Sequence, residues 1–245
     1  MPVFRTGNRR GGTATLVLMR LNLKTPERLA QALAVLCLMI IILMAGKPAF
    51  TNASLPVRGI HDPGIALQVA RNVDEVDSIL GEAPSADREV MRLKQYVDFA
   101  FIAAYVSLAV VMCWVLARRM RLAAIALLGC TIAAGIFDTL ENLAILRLLP
   151  LELSQTTQPV IEAIRAPSAF KWSLISVALV LLSIFFFDSR RWYLRLLGVM
   201  DLAAGALTCF GVFHNEWLPW AGAVLSGGLL LSAATLNLLT HESAA

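Results

Sequence analysis

Seven polar or ionisable residues stand inside stretches that are otherwise apolar: Asp98, Tyr105, Asp138, Glu141, Asn142, Lys171 and Asp201. Two carboxylates near each other in a poorly hydrated place can divide into acid and base, or hold a cation. Asp138, Glu141 and Asn142 are three and four positions apart, so one helix carries all three on one face. Asp98 and Tyr105 are seven apart and share a face with Phe101 and Ile102. Lys171 supplies an ammonium from a third stretch. Two readings follow for this group. In the structural one, Lys171 neutralises a carboxylate, hydrogen bonds satisfy the rest, and the group sets helix register. In the chemical one, the carboxylates handle protons or a cationic ligand. As an enzyme, Asp138 and Glu141 would be acid and base, Asp98 would assist, and Lys171 would orient an anionic headgroup. Asp201 stands apart, with no basic residue at its depth. Tyr105 and Thr131 are its expected hydrogen-bond partners, in a structural role ahead of a proton site.

Membrane helices must position these residues. The chain has 245 residues, 58% apolar and 16% charged, with a mean hydropathy of +0.71. Soluble domains run nearer about 45–50% apolar and about 25% charged. The apolar excess falls into blocks of about 17–25 residues, the length that crosses a bilayer. They predict an all-α, polytopic bundle of six transmembrane helices, at 29–46, 95–117, 122–147, 169–187, 193–213 and 217–239. The organisation is a basic cytoplasmic tail at 1–28, a first span at 29–46, an extracytoplasmic segment at 47–94, and a five-helix membrane bundle over 95–240. Gly46-Lys47-Pro48 lacks a small-residue cleavage site, so the first span is expected to be an uncleaved anchor.

The net charge is +4, but where the bases sit matters more than their sum. Arg5, Arg9, Arg10, Arg20, Lys24 and Arg28 precede the first span. Arg118, Arg119 and Arg121 follow the second; Arg190, Arg191 and Arg195 flank the fifth. Only Glu27, Asp188 and Glu242 oppose them. Bases concentrated at alternate span ends are topology signals, which puts both termini in the cytoplasm and excludes a nucleic-acid face. At about 1.5 Å per residue, Asp98 lies roughly 5 Å below the outer start of its span and Asp138 roughly 24 Å from the cytoplasmic start of its own. Both fall at outer-leaflet depth. The same arithmetic sets Asp201 roughly 12 Å into its span, near mid-membrane.

The outer segment carries helix-start signals at Asp62-Pro63 and at Asn72 with Glu75 three later. Ala66, Val69, Ala70, Val73, Val76 and Leu80 form an apolar stripe that stops at Gly81. One or two short amphipathic helices are expected, either as a structural cap over the bundle or as a lid over a site. Ser85 starts another helix that runs directly into the second span. In the last span, Gly222 with Ser226 and Ala223 with Gly227 are small-residue pairs expected to pack within the bundle. Cys37, Cys113, Cys130 and Cys209 all lie in apolar blocks, as small buried hydrophobes. His61, His214 and His241 have no ligand spacing, and no nucleotide or nucleophile motif is present, so neither metal nor cofactor is expected.

The run Asp98-Phe99-Ala100-Phe101-Ile102-Ala103-Ala104-Tyr105 is a D-F-x-F-I-x-A-Y motif, and Asp138-Thr139-Leu140-Glu141-Asn142 a D-x-x-E-N. With Phe170-Lys171-Trp172 and the helix from Asp74 to Gly81, they resemble a group of small bacterial integral membrane proteins of unassigned function. The resemblance covers roughly residues 60–187. It implies a multi-pass protein of the bacterial inner (plasma) membrane whose outer polar residues act as a unit, and no substrate. The reading is a non-enzymatic binding, accessory or small-permease component; the alternative is an intramembrane enzyme on an outer-leaflet lipid or amphiphile. The partners are the lipid bilayer and, on either reading, a lipid or small amphiphile. No protein partner is indicated.

Overall fold

The structure, a computed structural model, describes residues 25–46, 48–52 and 56–242. The bases Arg5, Arg9, Arg10, Arg20 and Lys24 of the tail, Lys47, and the side chains of Ala223, Ser226 and His241 lie outside the described residues. Helices dominate, and the described residues hold no strand beyond a single Val57–Ile60 bridge. In order they are α1 (Pro26–Ala45), α2 (Pro63–Val69), α3 (Val73–Leu80), α4 (Ala86–Leu116), α5 (Arg121–Leu148), α6 (Gln158–Phe187), α7 (Trp192–Phe213), α8 (Leu218–Ala234) and α9 (Leu236–Glu242). Five of these, α1, α4, α5, α6 and α7, are long and apolar enough to cross a membrane.

The long helices form a ring. Each packs on its sequence neighbour, α1 on α4, then α5, α6, α7 and α8, and α8 closes against α1. The closing contact is the slightest of the six. A hydrogen bond there runs from Gln31 Nε2 to the Ala234 carbonyl, 3.0 Å. The outer face of the ring is apolar, with Val35, Met39, Ile42, Val110, Ile136 and Val199 all exposed. Inside, Leu108, Met112, Leu116, Leu182, Phe185 and Phe186 are buried.

Two helices differ from expectation at their ends. α6 begins at Gln158 rather than at 169. Its first turns carry Gln158, Glu162 and Arg165, which hydropathy discounts, although Pro159 suits a helix start. The last stretch does not run unbroken from 217 to 239. Thr235 interrupts it, leaving α8 at 17 residues and α9 at 7. The Thr235 hydroxyl bonds back to the Leu231 carbonyl at 2.9 Å, a local bond that bends helices.

At one end of the ring sit α2 and α3, called here the cap. Their stripe is buried as spaced: Ala66, Val69, Ala70, Val76 and Leu80 pack with Met91, Ile145, Leu148 and Ile164 from the ends of α4, α5 and α6. Asp62 and Asn72 cap the two helices, accepting from Ile65 N and Glu75 N at 2.9 Å each. Gly81 ends α3 with φ +67°, a conformation that favours glycine. The opposite end carries Arg118, Arg119, Arg190 and Arg191, and Arg119 pairs there with Asp188 at 2.9 Å.

Two buried residues in the first turn of α4 fix the segments around it, Asp87 the stretch after α1 and Arg88 the cap. Asp87 accepts from Thr51 N at 2.6 Å, Thr51 Oγ1 at 2.7 Å and Asn52 N at 3.1 Å. Arg88, fully buried, donates through Nε to the Gly81 carbonyl at 3.0 Å. Its Nη1 reaches the carbonyls of Leu149 at 3.0 Å and Leu151 at 2.8 Å. Arg88 therefore caps the C-terminus of α5, whose last carbonyls have no partner within the helix, and ties it to the end of α3.

Candidate functional site

The predicted outer residues meet. α5 presents Asp138, Glu141 and Asn142 on one face, all buried. Lys171 of α6 lies between two of them, 3.0 Å from Asp138 Oδ1 and 2.6 Å from Glu141 Oε2. From α4, the Tyr105 hydroxyl donates to Asp138 Oδ2 at 3.2 Å, and Asp98 Oδ2 accepts from Asn142 Nδ2 at 2.6 Å. Four bonds thus join three helices at one level. The expected single ion pair is a bifurcated one, since Lys171 serves two carboxylates. Asp98 has no cation within ion-pair distance among the described residues.

Close approach of α4 to α5 makes the network reachable. A Cβ on Gly135 would come within 2.9 Å of Val106 Cγ2 and 3.4 Å of the Tyr105 hydroxyl oxygen. Glycine is needed there for space, one turn before Asp138. Gly135→Leu is expected to push the helices apart and to cost about 1–3 kcal/mol through overpacking. Thermal melting of the purified protein in detergent measures it; an unchanged midpoint would contradict the packing argument.

Beside the network lies a cavity of about 550 Å³. Its polar part is lined by Gln68, Lys94, Gln95, Asp98, Asp138 and Lys171. Glu141 stands behind this wall and does not line it. From there the cavity descends between apolar side chains, Ala109 and Met112 of α4, Leu127 of α5, Ala178 and Leu182 of α6, and Leu229 of α8. Asp98 and Met112 are fourteen residues apart on one helix, so this apolar part is about 21 Å long. The cap forms the roof. Gln68 of α2 accepts from Trp172 Nε1 at 2.9 Å and Ser168 Oγ at 3.3 Å, which binds the roof to α6 next to Lys171.

Sequence reasoning missed three of these lining residues, Gln68, Gln95 and Lys94. Gln95 precedes Asp98 by three positions and so had to share its face, a signal that was available. Lys94 donates to the Met44 carbonyl at 2.6 Å and lies 5.0 Å over the Phe50 ring. It caps the end of α1.

Asp201 does not join the site, and its partners differ from those expected. It is completely buried, and Ser232 of α8 donates to its Oδ2 at 2.9 Å. Tyr105 is committed to Asp138, and the Thr131 hydroxyl bonds to the Leu127 carbonyl at 2.9 Å. A Cβ on Gly228 would lie 2.6 Å from Asp201 Oδ1, so this glycine makes room for the carboxylate. The small residues expected to pack in α8 are otherwise placed. Gly222 and Gly227 have nothing within 4 Å of a would-be Cβ, and Gly222 lines the cavity.

Comparison with known proteins leaves the chain without a match among family models, curated proteins or solved structures.

Proposed function

We propose that this chain is a multi-pass protein of a bacterial inner membrane that binds an amphiphile inside its ring of helices. On this reading α8 and α9 together make a sixth span, the arginine-rich end and both termini are cytoplasmic, and the cap is extracytoplasmic. Aromatic side chains support the embedding. Tyr96 and Trp114 are both exposed on α4, eighteen residues or about 27 Å apart. Trp192 and Phe213 are exposed on α7, twenty-one residues or about 32 Å apart. Aromatic belts at the two interfaces of a core about 30 Å thick would have this spacing. On this reading Asp98 and its partners lie at the outer interface, where a headgroup belongs.

The observation that carries the binding reading is the shape and polarity of the cavity. One end is polar and roofed by the cap; the rest is a narrow apolar passage running toward the arginine-rich end. Pockets of roughly 300–1,000 Å³ bury small ligands. The enzyme alternative has less support. An acid and a base would both have to face the substrate, yet Glu141 lies off the wall and Asp138 is held by Lys171 and Tyr105.

Filling the passage tests the reading without touching a charge. Ala109 and Ala178 line it, and both are nearly buried. Ala109→Phe and Ala178→Phe are each expected to abolish a co-purifying amphiphile seen by native mass spectrometry, with helical content retained. Undiminished ligand in both variants would sink the proposal.

A further inference from the structure

The polar end of the cavity offers acceptors, and one of them has no partner. Gln95 is only 7% exposed and lines the cavity. Its Nε2 meets the Met91 sulfur at 3.4 Å, while its Oε1 is buried with no hydrogen-bond partner. This orientation gives the NH₂ to the one weak acceptor at hand; the reverse would set a carbonyl against a thioether. A buried carbonyl without a donor is costly, and a ligand that donates to it recovers that cost. One turn along the same face is Asp98, which has one oxygen held by Asn142 and no cation within ion-pair distance among the described residues.

The charges agree with the acceptors. Asp98, Asp138 and Glu141 are three carboxylates against the single ammonium of Lys171 within the network. Lys94, the other cation on the wall, is spent on the Met44 carbonyl and the Phe50 ring. An anionic head would find both ammoniums engaged and would face a carboxylate excess. A neutral hydroxyl would satisfy Gln95 and leave Asp98 without a counter-charge. A primary ammonium has three donors, enough for Gln95 and Asp98 together, and supplies the missing positive charge.

The chain portion follows from the passage. It is about 21 Å long and is walled by α4, α5, α6 and α8, with α1 at its polar end, around a lumen of about 550 Å³ in total. One extended aliphatic chain fits this space, whereas two chains and a glycerophosphate do not. We infer that the ligand is a single-chain amphiphile with a primary-ammonium head, held by Gln95 Oε1 and the Asp98 carboxylate, its chain directed along α4 toward Met112. This rests on the amphiphile-binding reading above and names its ligand class.

The test uses the full-length protein, stripped of lipid and titrated in detergent while native mass spectrometry counts bound ligand. The probes are hexadecylamine, hexadecanol, hexadecanoate and phosphatidylethanolamine, the last being a two-chain lipid with the same ammonium. The amine is expected to bind one per protein, about tenfold or more tighter than the alcohol, with the carboxylate weakest; that ratio is the loss of one hydrogen bond to a charged group. Asp98→Asn is expected to bring the amine down to the level of the alcohol and to leave the alcohol unchanged. Gln95→Met, which touches only the contact to Met91, is expected to weaken the amine severalfold and serves as the readout should Asp98→Asn not fold. Carboxylate binding as tight as the amine, an amine affinity undiminished in Gln95→Met, or stoichiometric phosphatidylethanolamine would each overturn the inference. Equal binding of amine and alcohol overturns the ammonium alone. Failure of all three single-chain probes overturns the binding reading beneath it.

Discussion

Lys171→Met is expected to lower the melting temperature of the purified protein by about 10 °C, or to prevent its accumulation in the membrane. Methionine keeps the length and apolar stem of lysine and removes only the charge. What remains is Asp138 and Glu141, buried side by side, with the Tyr105 hydroxyl as the remaining side-chain donor to either among the described residues. Removing one partner of a buried ion pair costs about 3–5 kcal/mol, because the abandoned charge has no water to return to. For a chain of this size each kcal/mol moves the midpoint by about 2–4 °C. The control is the triple variant with Asp138→Asn and Glu141→Gln added. Neutral amides of the same shape do not need the ammonium, so much of the loss should return. A midpoint within a degree or two of the parent for Lys171→Met alone would show that the network is not a structural element. Full recovery of stability in the triple variant would show that Lys171 serves chiefly to neutralise Asp138 and Glu141.

Arg88→Met is expected to free the cap while the ring stays folded. Arg88 has no carboxylate partner within ion-pair distance among the described residues; its bonds run to backbone carbonyls of Gly81, Leu149 and Leu151. Losing them costs about 3 kcal/mol or more, since hydrogen bonds to a charged group are each worth about 1.5–3 kcal/mol. The damage is local because every acceptor lies at the junction of α3, α4 and α5. Limited proteolysis should therefore cut between residues 56 and 85 in the variant and spare the long helices. Arg88→Lys should behave nearly as badly, because a single ammonium cannot span acceptors that the planar fork reaches on two sides. Resistance equal to the parent in both variants would contradict the account. A freed cap also unroofs the cavity, so retention of the amphiphile should fall in step with proteolysis.

Much of this was legible in the residues, and the parts that were not have physical reasons. Helical spacing brought Asp138, Glu141 and Asn142 to one face, and depth arithmetic brought Asp98 to their level; the bond between Asn142 and Asp98 is the result. The alternation of buried residues in α2 and α3 followed from the apolar stripe. Arg88 escapes notice because a base at the start of a span reads as a surface charge, and its acceptors at the end of α5 are backbone carbonyls some sixty residues away that have no sequence signature. Asp201 was given the wrong partners because depth restricts candidates to a level but does not say which helices are adjacent in the ring. The break at Thr235 was hidden by continuous hydropathy, which measures partition into lipid and is blind to a hydroxyl turning back on its own helix. The cavity itself was not legible at all. An absence of atoms depends on how six helices are tilted against one another, and no single segment encodes it.

The ring is joined by neighbours in sequence everywhere except between α1 and α8, where the contact is slightest. α1 is made early and α8 late, so during synthesis in a bilayer the circle stands open along that one side until the end. On the membrane reading, lipid chains have access to the passage throughout that interval. Closure by α8 would then seal in whatever chain lies in the passage, so a ligand taken up from the bilayer need not enter through the finished wall.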